Sequence, residues 1–304
     1  MTSPRSAPRP LGIFVALLAV VVLGGCSGSD PEAGPDAAAS PGGKSSSRTV
    51  EPVEPYEGYP DSMVVLGHSG ATGVGSGDPD RQGSIQNNWA TGSNPDVNSI
   101  YLRLLSKNDA IEGNATNLAQ NGADLPLIYE QAKAAVNLEP APELVFVQAI
   151  DNDISCPLVD ERLKAFDVSL TRVLTTLTEG LPGSQVFLVM QDRSGPPKYA
   201  AALTAEDRAS LGGTGPCAIF DPDGQTVPDE VERITSIVAR YDDRSASVCD
   251  RFERCHHDPA VFQEVEDRKL LASDLTHLSI EGHARNADAA WSALARGGLI
   301  PADD

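Results

Sequence analysis

Positive charge is scarce in this chain. Of 304 residues, 23 are Lys or Arg against 43 Asp or Glu, a formal net charge of −20. Such a surface repels phosphate backbones, which argues against a nucleic-acid partner. It also gains nothing from anionic lipid headgroups. Solubility is the simplest reading of the acidity. Histidine is scarcer still, with five residues (His68, His256, His257, His277 and His283), so candidates for a general base are few. The glycine-rich stretch GATGVGSGD from Gly70 to Asp78 has no lysine and lacks the spacing of a phosphate-binding loop. It is expected to be a mobile loop beside the segment that precedes it. There is no internal repeat. What is present, 40% apolar and 22% charged residues, is the composition of a globular protein.

The N-terminus has a different character. Arg5 and Arg9 precede an uncharged apolar run, Leu11 to Leu23, of about 13 residues. That is short of the roughly 20 needed to span a bilayer, and it reads as a secretory signal over residues 1–25. The run ends in Leu23-Gly24-Gly25-Cys26, which resembles the lipobox of bacterial lipoproteins. The resemblance implies cleavage before Cys26, a diacylglyceryl group on its sulfur, and attachment to the outer face of the cell membrane. An ordinary cleaved signal with an incidental cysteine is the alternative. Residues 26–60 are rich in Pro, Gly, Ser and acids and read as the lipidated cysteine with a flexible tether. Residues 61–304 are then expected to form a single domain. Four cysteines remain there, and an even count in an exported chain suggests two disulfides. Cys249–Cys255 would close a short loop and leave Cys156–Cys217. A metal site at Cys255-His256-His257-Asp258 is the weaker reading, since the spacing matches no common zinc pattern.

Within the domain, short apolar runs alternate with helical periodicity. Met63–Gly67, Leu144–Ile150 and Gln185–Met190 read as buried strands. Residues 97–107, 124–136, 158–179, 227–241 and 279–296 read as helices. Leu163, Phe166, Leu170, Val173, Leu174 and Leu177 recur on one face of the third. This alternation predicts an α/β fold, a three-layer α/β/α sandwich around a mostly parallel sheet. Sites in open α/β sheets lie beyond the carboxyl ends of the strands. Ser69 stands two residues past the first strand and Asn152 two past the Leu144–Ile150 strand, so the two could converge.

A serine hydroxyl needs a base to become a nucleophile, and the base needs an orienting group. His68 adjoins Ser69, and neighbouring side chains point apart. His256 and His257 lie beside a disulfide cysteine, and His283 reads as a surface residue of a helix. His277 stands in Ser273-Asp274-Leu275-Thr276-His277, a polar segment before the last helix, with Asp274 three residues earlier. One loop can present both base and carboxylate. The plainer reading is that Asp274 caps a turn and His277 is exposed.

Gly67-His68-Ser69, Asn121-Gly122-Ala123, Asn152-Asp153 and Asp274-x-x-His277 follow the order of the four sequence blocks of the SGNH/GDSL hydrolases, and the chain resembles that family. Asn88-Trp89-Ala90-Thr91-Gly92 with Val97-Asn98-Ser99 resembles its secreted bacterial members. The resemblance spans Met63 to Trp291. It implies a flavodoxin-like fold and ester cleavage, with Ser69 as nucleophile, His277 as base and Asp274 as its orienting group. It also implies an oxyanion hole from the N–H groups of Ser69 and Gly122 and the amide of Asn152. No cofactor or metal is implied. The expected partners are an ester substrate, small or polymer-borne, and the membrane through Cys26, with the protein a monomer. Two positions depart from the pattern: His68 stands where the family has Asp, and Ile150 where it has Gly. Asp151 and Asp153 are expected to cap the helix that follows them.

Two other readings stand beside this one. Gly-His-Ser-Gly-Ala also resembles the nucleophile elbow of α/β-hydrolase lipases. However, at most one strand precedes Ser69, and Asn152 would have no role. A catalytically weak surface-binding lipoprotein is the reading of a different class, motivated by the altered blocks.

Overall fold

A computed structural model describes residues 56–77, 84–190, 195–258 and 265–302. The signal segment, Cys26 and the tether up to residue 55 lie outside the described residues. Five strands form one sheet in the order β2-β1-β3-β4-β5: β1 (Met63–Gly67), β2 (Ala115–Asn117), β3 (Leu144–Gln148), β4 (Gln185–Val189) and β5 (Cys255–Asp258). Every pairing is parallel. The three apolar runs read as strands are the three central strands. The two edge strands, ATN and CHHD, were not legible as strands. They are short, only partly buried and polar, so neither a hydrophobic run nor alternation marks them.

The period-two geometry of the strands divides the core. Val64, Leu66, Val145, Val147, Val186 and Leu188 face one side. There they meet α2 (Leu125–Ala135), α3 (Asp160–Gly180) and α6 (Pro228–Cys249). Met63, Val65, Leu144, Phe146, Phe187 and Val189 face the other, against Trp89, α1 (Ile100–Leu105) and α7 (Ile280–Arg296). Both faces are covered, as a parallel sheet requires, and this is the expected three-layer α/β/α sandwich. The six periodic residues of α3 are all buried, each contributing roughly 1.5–3 kcal/mol of transfer free energy. Among the described residues no helix is long and apolar enough to cross a membrane.

Several boundaries move. α6 runs to Cys249 rather than 241, because Tyr241, Ser245 and Val248 continue its buried face through a polar sequence. α4 (Gly195–Ala202) and α5 (Ala205–Leu211) were not anticipated. They help frame a small satellite core that includes Ala200, Leu203, Phe220, Leu271, Leu275 and Leu278. The fold also begins upstream of residue 61: the Tyr56 hydroxyl donates to the Leu299 carbonyl at 2.8 Å, and Tyr59 stacks on Trp291.

Candidate active site

Parallel register places the strand ends side by side. Gly67 pairs with Gln148, so the turns after β1 and β3 are neighbours. Gly67 is clamped by Gln131 of α2, which accepts its N–H at 2.7 Å and donates to its carbonyl at 3.0 Å. Ser69–Ala71 then forms a 3₁₀ turn. Buried His68 caps it, Nδ1 accepting the Gly70 N–H at 3.1 Å. The Ala71 carbonyl accepts from Asn88 at 2.6 Å and from Asn117 at 2.8 Å. Gly70 has no room for a side chain, since a Cβ would collide with the Gln148 amide. Ser69 itself is partly exposed, and among the described residues its hydroxyl has no hydrogen-bond partner.

The turn after β3 is built on an unusual residue. Ile150 has φ 92° and ψ −63°, a γ-turn conformation that is strained for any residue with a Cβ. Asp151–Asp153 follows as a 3₁₀ turn. Asn152 donates one amide hydrogen to the Ala123 carbonyl at 2.9 Å, leaving the other available. Asp153 does not cap the next helix, which begins at Asp160 without a side-chain cap. Its Oδ1 instead accepts the Leu125 N–H at 3.1 Å, at the start of α2, a helix distant in sequence but adjacent in space. Asp151 faces the nucleophile turn, its Oδ2 3.3 Å from His68 Nε2. The expected capping role is therefore overturned for both residues.

Asn121-Gly122-Ala123 bridges the two turns. Thr72 Oγ1 lies 2.7 Å from Asn121 Oδ1 on one side, and Ala123 holds Asn152 on the other. Gly122 has φ 76°, and a Cβ there would meet nothing. The left-handed backbone, not crowding by the protein, is what calls for glycine. The backbone N–H groups of Ser69 and Gly122 have no acceptor among the described residues.

His277 and Asp274, the expected base and its carboxylate, lie in the loop before α7. His277 Nδ1 is 2.8 Å from Asp274 Oδ2, while Asp274 Oδ1 accepts the N–H groups of His277 and Thr276 at 3.0 and 3.1 Å. Asp274 closes a turn, as the plainer reading has it, and also grips the ring, while His277 is half-buried rather than exposed. Burial pushes its carboxyl up, but the hydrogen bonds from the His277 ring and the two amides outweigh this and hold it at about 2. The ionised carboxylate takes the Nδ1 proton, which leaves the lone pair on Nε2. Leu275 between them has φ 64°, and the Tyr199 hydroxyl of α4 fixes its carbonyl at 2.9 Å.

The segment after the nucleophile turn packs on this loop. A Cβ at Gly75 would stand 3.2 Å from His277 Cβ and 3.4 Å from Asp274 Oδ2. Asp151 lies within electrostatic reach of both His68 and His277. Ser69, Gly122, Asn152, Asp274 and His277 thus belong to one region at the carboxyl ends of β1 and β3. The Ser69 hydroxyl and His277 are not hydrogen-bonded, a looseness common in sites without substrate. The glycine-rich stretch is packed rather than mobile over residues 72–76. Val74 and Ser76 are buried, and Asn87 donates to the Ser76 carbonyl at 2.6 Å.

The other histidines are accounted for. His283 is 1% exposed, not a surface residue, and burial drives its pKa down to about 3. His256 faces Gln185 at 2.7 Å and His257 faces Asp250 at 3.0 Å. Cys255 is bonded to Cys249, and Cys156 to Cys217. Among the described residues no group of three or more His, Cys, Asp or Glu side chains is arranged to hold a metal. Gln131 and Gln148 were missed as supports of the site. Their one signal in the sequence is a polar residue in an otherwise buried apolar stripe. Nothing local marked Tyr199 or the contact between His68 and Asp151.

No family model matches the chain, and no curated protein matches it. Solved structures similar to it include the psychrotrophic esterase EstA from Pseudoalteromonas sp., inhibited by monoethylphosphonate, at 10% identity and TM-score 0.46, covering 79% of this chain and 99% of that one. Phospholipase A1 from Streptomyces albidoflavus is 16% identical with TM-score 0.48, covering 76% and 98%. A family 3 carbohydrate esterase from Clostridium thermocellum is 12% identical with TM-score 0.46, covering 79% and 98%. At such identities and TM-scores a likeness does not decide an activity; the residues of the site must.

Proposed function

We propose that this protein is a serine ester hydrolase of the SGNH/GDSL arrangement. The observation that carries the reading is the Asp274–His277 hydrogen bond in a loop packed against the segment following Ser69. His277 Nε2 takes the Ser69 proton as Oγ attacks the ester carbonyl. The oxyanion is received by the N–H groups of Ser69 and Gly122 and the second amide hydrogen of Asn152. Preorganised donors of this kind contribute about 3–4 kcal/mol each to transition-state stabilisation. The alcohol leaves with the proton from His277, giving an acyl-Ser69 ester. A water molecule, deprotonated by His277, then attacks the acyl carbon; the acyl–Oγ bond breaks, His277 returns the proton to Ser69 Oγ, and the carboxylic acid is released.

The nucleophile turn follows the first strand of the described sheet, and Asn152 is tied into the same region, which favours this arrangement over a lipase elbow. The N-terminal pattern and the two disulfides support an extracytoplasmic location with anchoring through Cys26. The test is turnover of short-chain nitrophenyl esters by the wild type and by Ser69→Ala. Activity that depends on Ser69 is the expected result. Its absence across acyl lengths would favour a binding module instead.

A further inference from the structure

His68 is the residue left unexplained by the triad. It is 1% exposed, so it does not serve solvent or a surface partner. Both ring nitrogens face defined groups. Nδ1 accepts the Gly70 N–H and so carries no proton; the neutral ring then carries its proton on Nε2, which lies 3.3 Å from Asp151 Oδ2, a close approach short of an aligned hydrogen bond. Neither nitrogen is left to act as a base toward Ser69. Asp151 comes into place because the chain reverses at Ile150 with φ 92°, a strained backbone for a residue with a Cβ. Strain at one end of the contact and burial at the other mark it as more than an incidental surface pair. Asp151 keeps 36% of its side chain accessible and adjoins Asn152 in the same turn.

We propose that His68 and Asp151 form a positioning pair: one imidazole caps the turn that carries Ser69 and holds the turn that carries Asn152. Burial pushes the Asp151 carboxyl up. The catalytic part of the inference rests on the ester-hydrolase reading.

The test is a double-mutant cycle of His68→Asp, Asp151→Asn and the combination, read by kcat, KM and thermal denaturation. An aspartate at 68 can still cap Gly70, but it faces a second carboxylate. His68→Asp is expected to lower kcat about 100-fold with KM changed less than threefold, and the combination to recover at least tenfold of that loss. The melting temperature of the combination should likewise exceed that of His68→Asp. Should His68→Asp fail to fold, His68→Asn keeps the cap without reaching residue 151; it should lower kcat about tenfold, a loss that Asp151→Asn does not deepen. Additive effects in both readouts would overturn the pairing. The denaturation cycle needs no substrate, so it judges the pair even if turnover proves independent of Ser69.

Discussion

The two disulfides close loops of very different length, and their removal should separate accordingly. Cys156–Cys217 spans 61 residues of sequence and Cys249–Cys255 spans 6. Loop-closure entropy in the unfolded chain gives about 4 kcal/mol for the first and about 2 kcal/mol for the second. For a domain of this size the difference of about 2 kcal/mol amounts to about 4–8 °C in melting temperature. The comparison is between Cys156→Ala/Cys217→Ala and Cys249→Ala/Cys255→Ala, by denaturant and thermal unfolding of the purified domain. Cys249 is fully buried, so truncating it adds a packing loss that works against the expected order. Cys156 also lies three residues past Asp153, and the Cys217 N–H is held by Glu230 at 2.6 Å. Opening this bridge removes the covalent tie just past the Asn152 turn and leaves Tyr241 of α6, which donates to the Asp153 carbonyl at 3.0 Å, to hold it, so kcat should fall in the first variant and hold in the second. If the short-loop variant were the less stable, or if both lost activity equally, the reasoning would fail.

Asp274→Asn keeps the shape of the loop but can donate to His277 Nδ1, which puts the ring proton on Nε2, the wrong nitrogen. A kcat loss on the order of 10⁴-fold with little change in KM is expected from steady-state kinetics. Asp153 is pushed up from 3.8 to about 6, first by burial, with backbone hydrogen bonds opposing. A carboxyl raised on folding costs stability progressively as pH rises from about 4 to about 6, after which the cost is constant. Asp153→Asn should remove that part of the pH dependence in denaturation midpoints, and a slope unchanged from wild type would count against the assignment. Ile150→Ala should cost about 2–5 kcal/mol, as for other buried truncations. Glycine normally costs about 0.5–1 kcal/mol more than alanine, but at φ 92° it relieves the strain that alanine retains. Ile150→Gly should therefore be at least as stable as Ile150→Ala in urea unfolding.

Much of the architecture is written locally. MVVLG, LVFVQ and QVFLV are apolar runs too short for helices, and the helical periodicity of α3 survives any register. They are legible because burial on both faces of a parallel sheet demands such runs. The Asp274–His277 contact was also legible, because a loop of four residues can contain both members of a hydrogen-bonded pair. What tertiary structure decided was everything that depends on adjacency between distant segments. β2 and β5 are strands because partners lie beside them, not because of their own residues. Asp153 accepts an N–H of the first turn of α2, which Asp124 caps, rather than capping α3, because the β3 turn lies over the start of α2. His283 is buried because of the face α7 presents to the sheet. His68 and Asp151, 83 positions apart in sequence, meet because Gly67 and Gln148 are register partners. A side chain's type sets what it can donate, accept or bury; only the register of the sheet sets which group it meets.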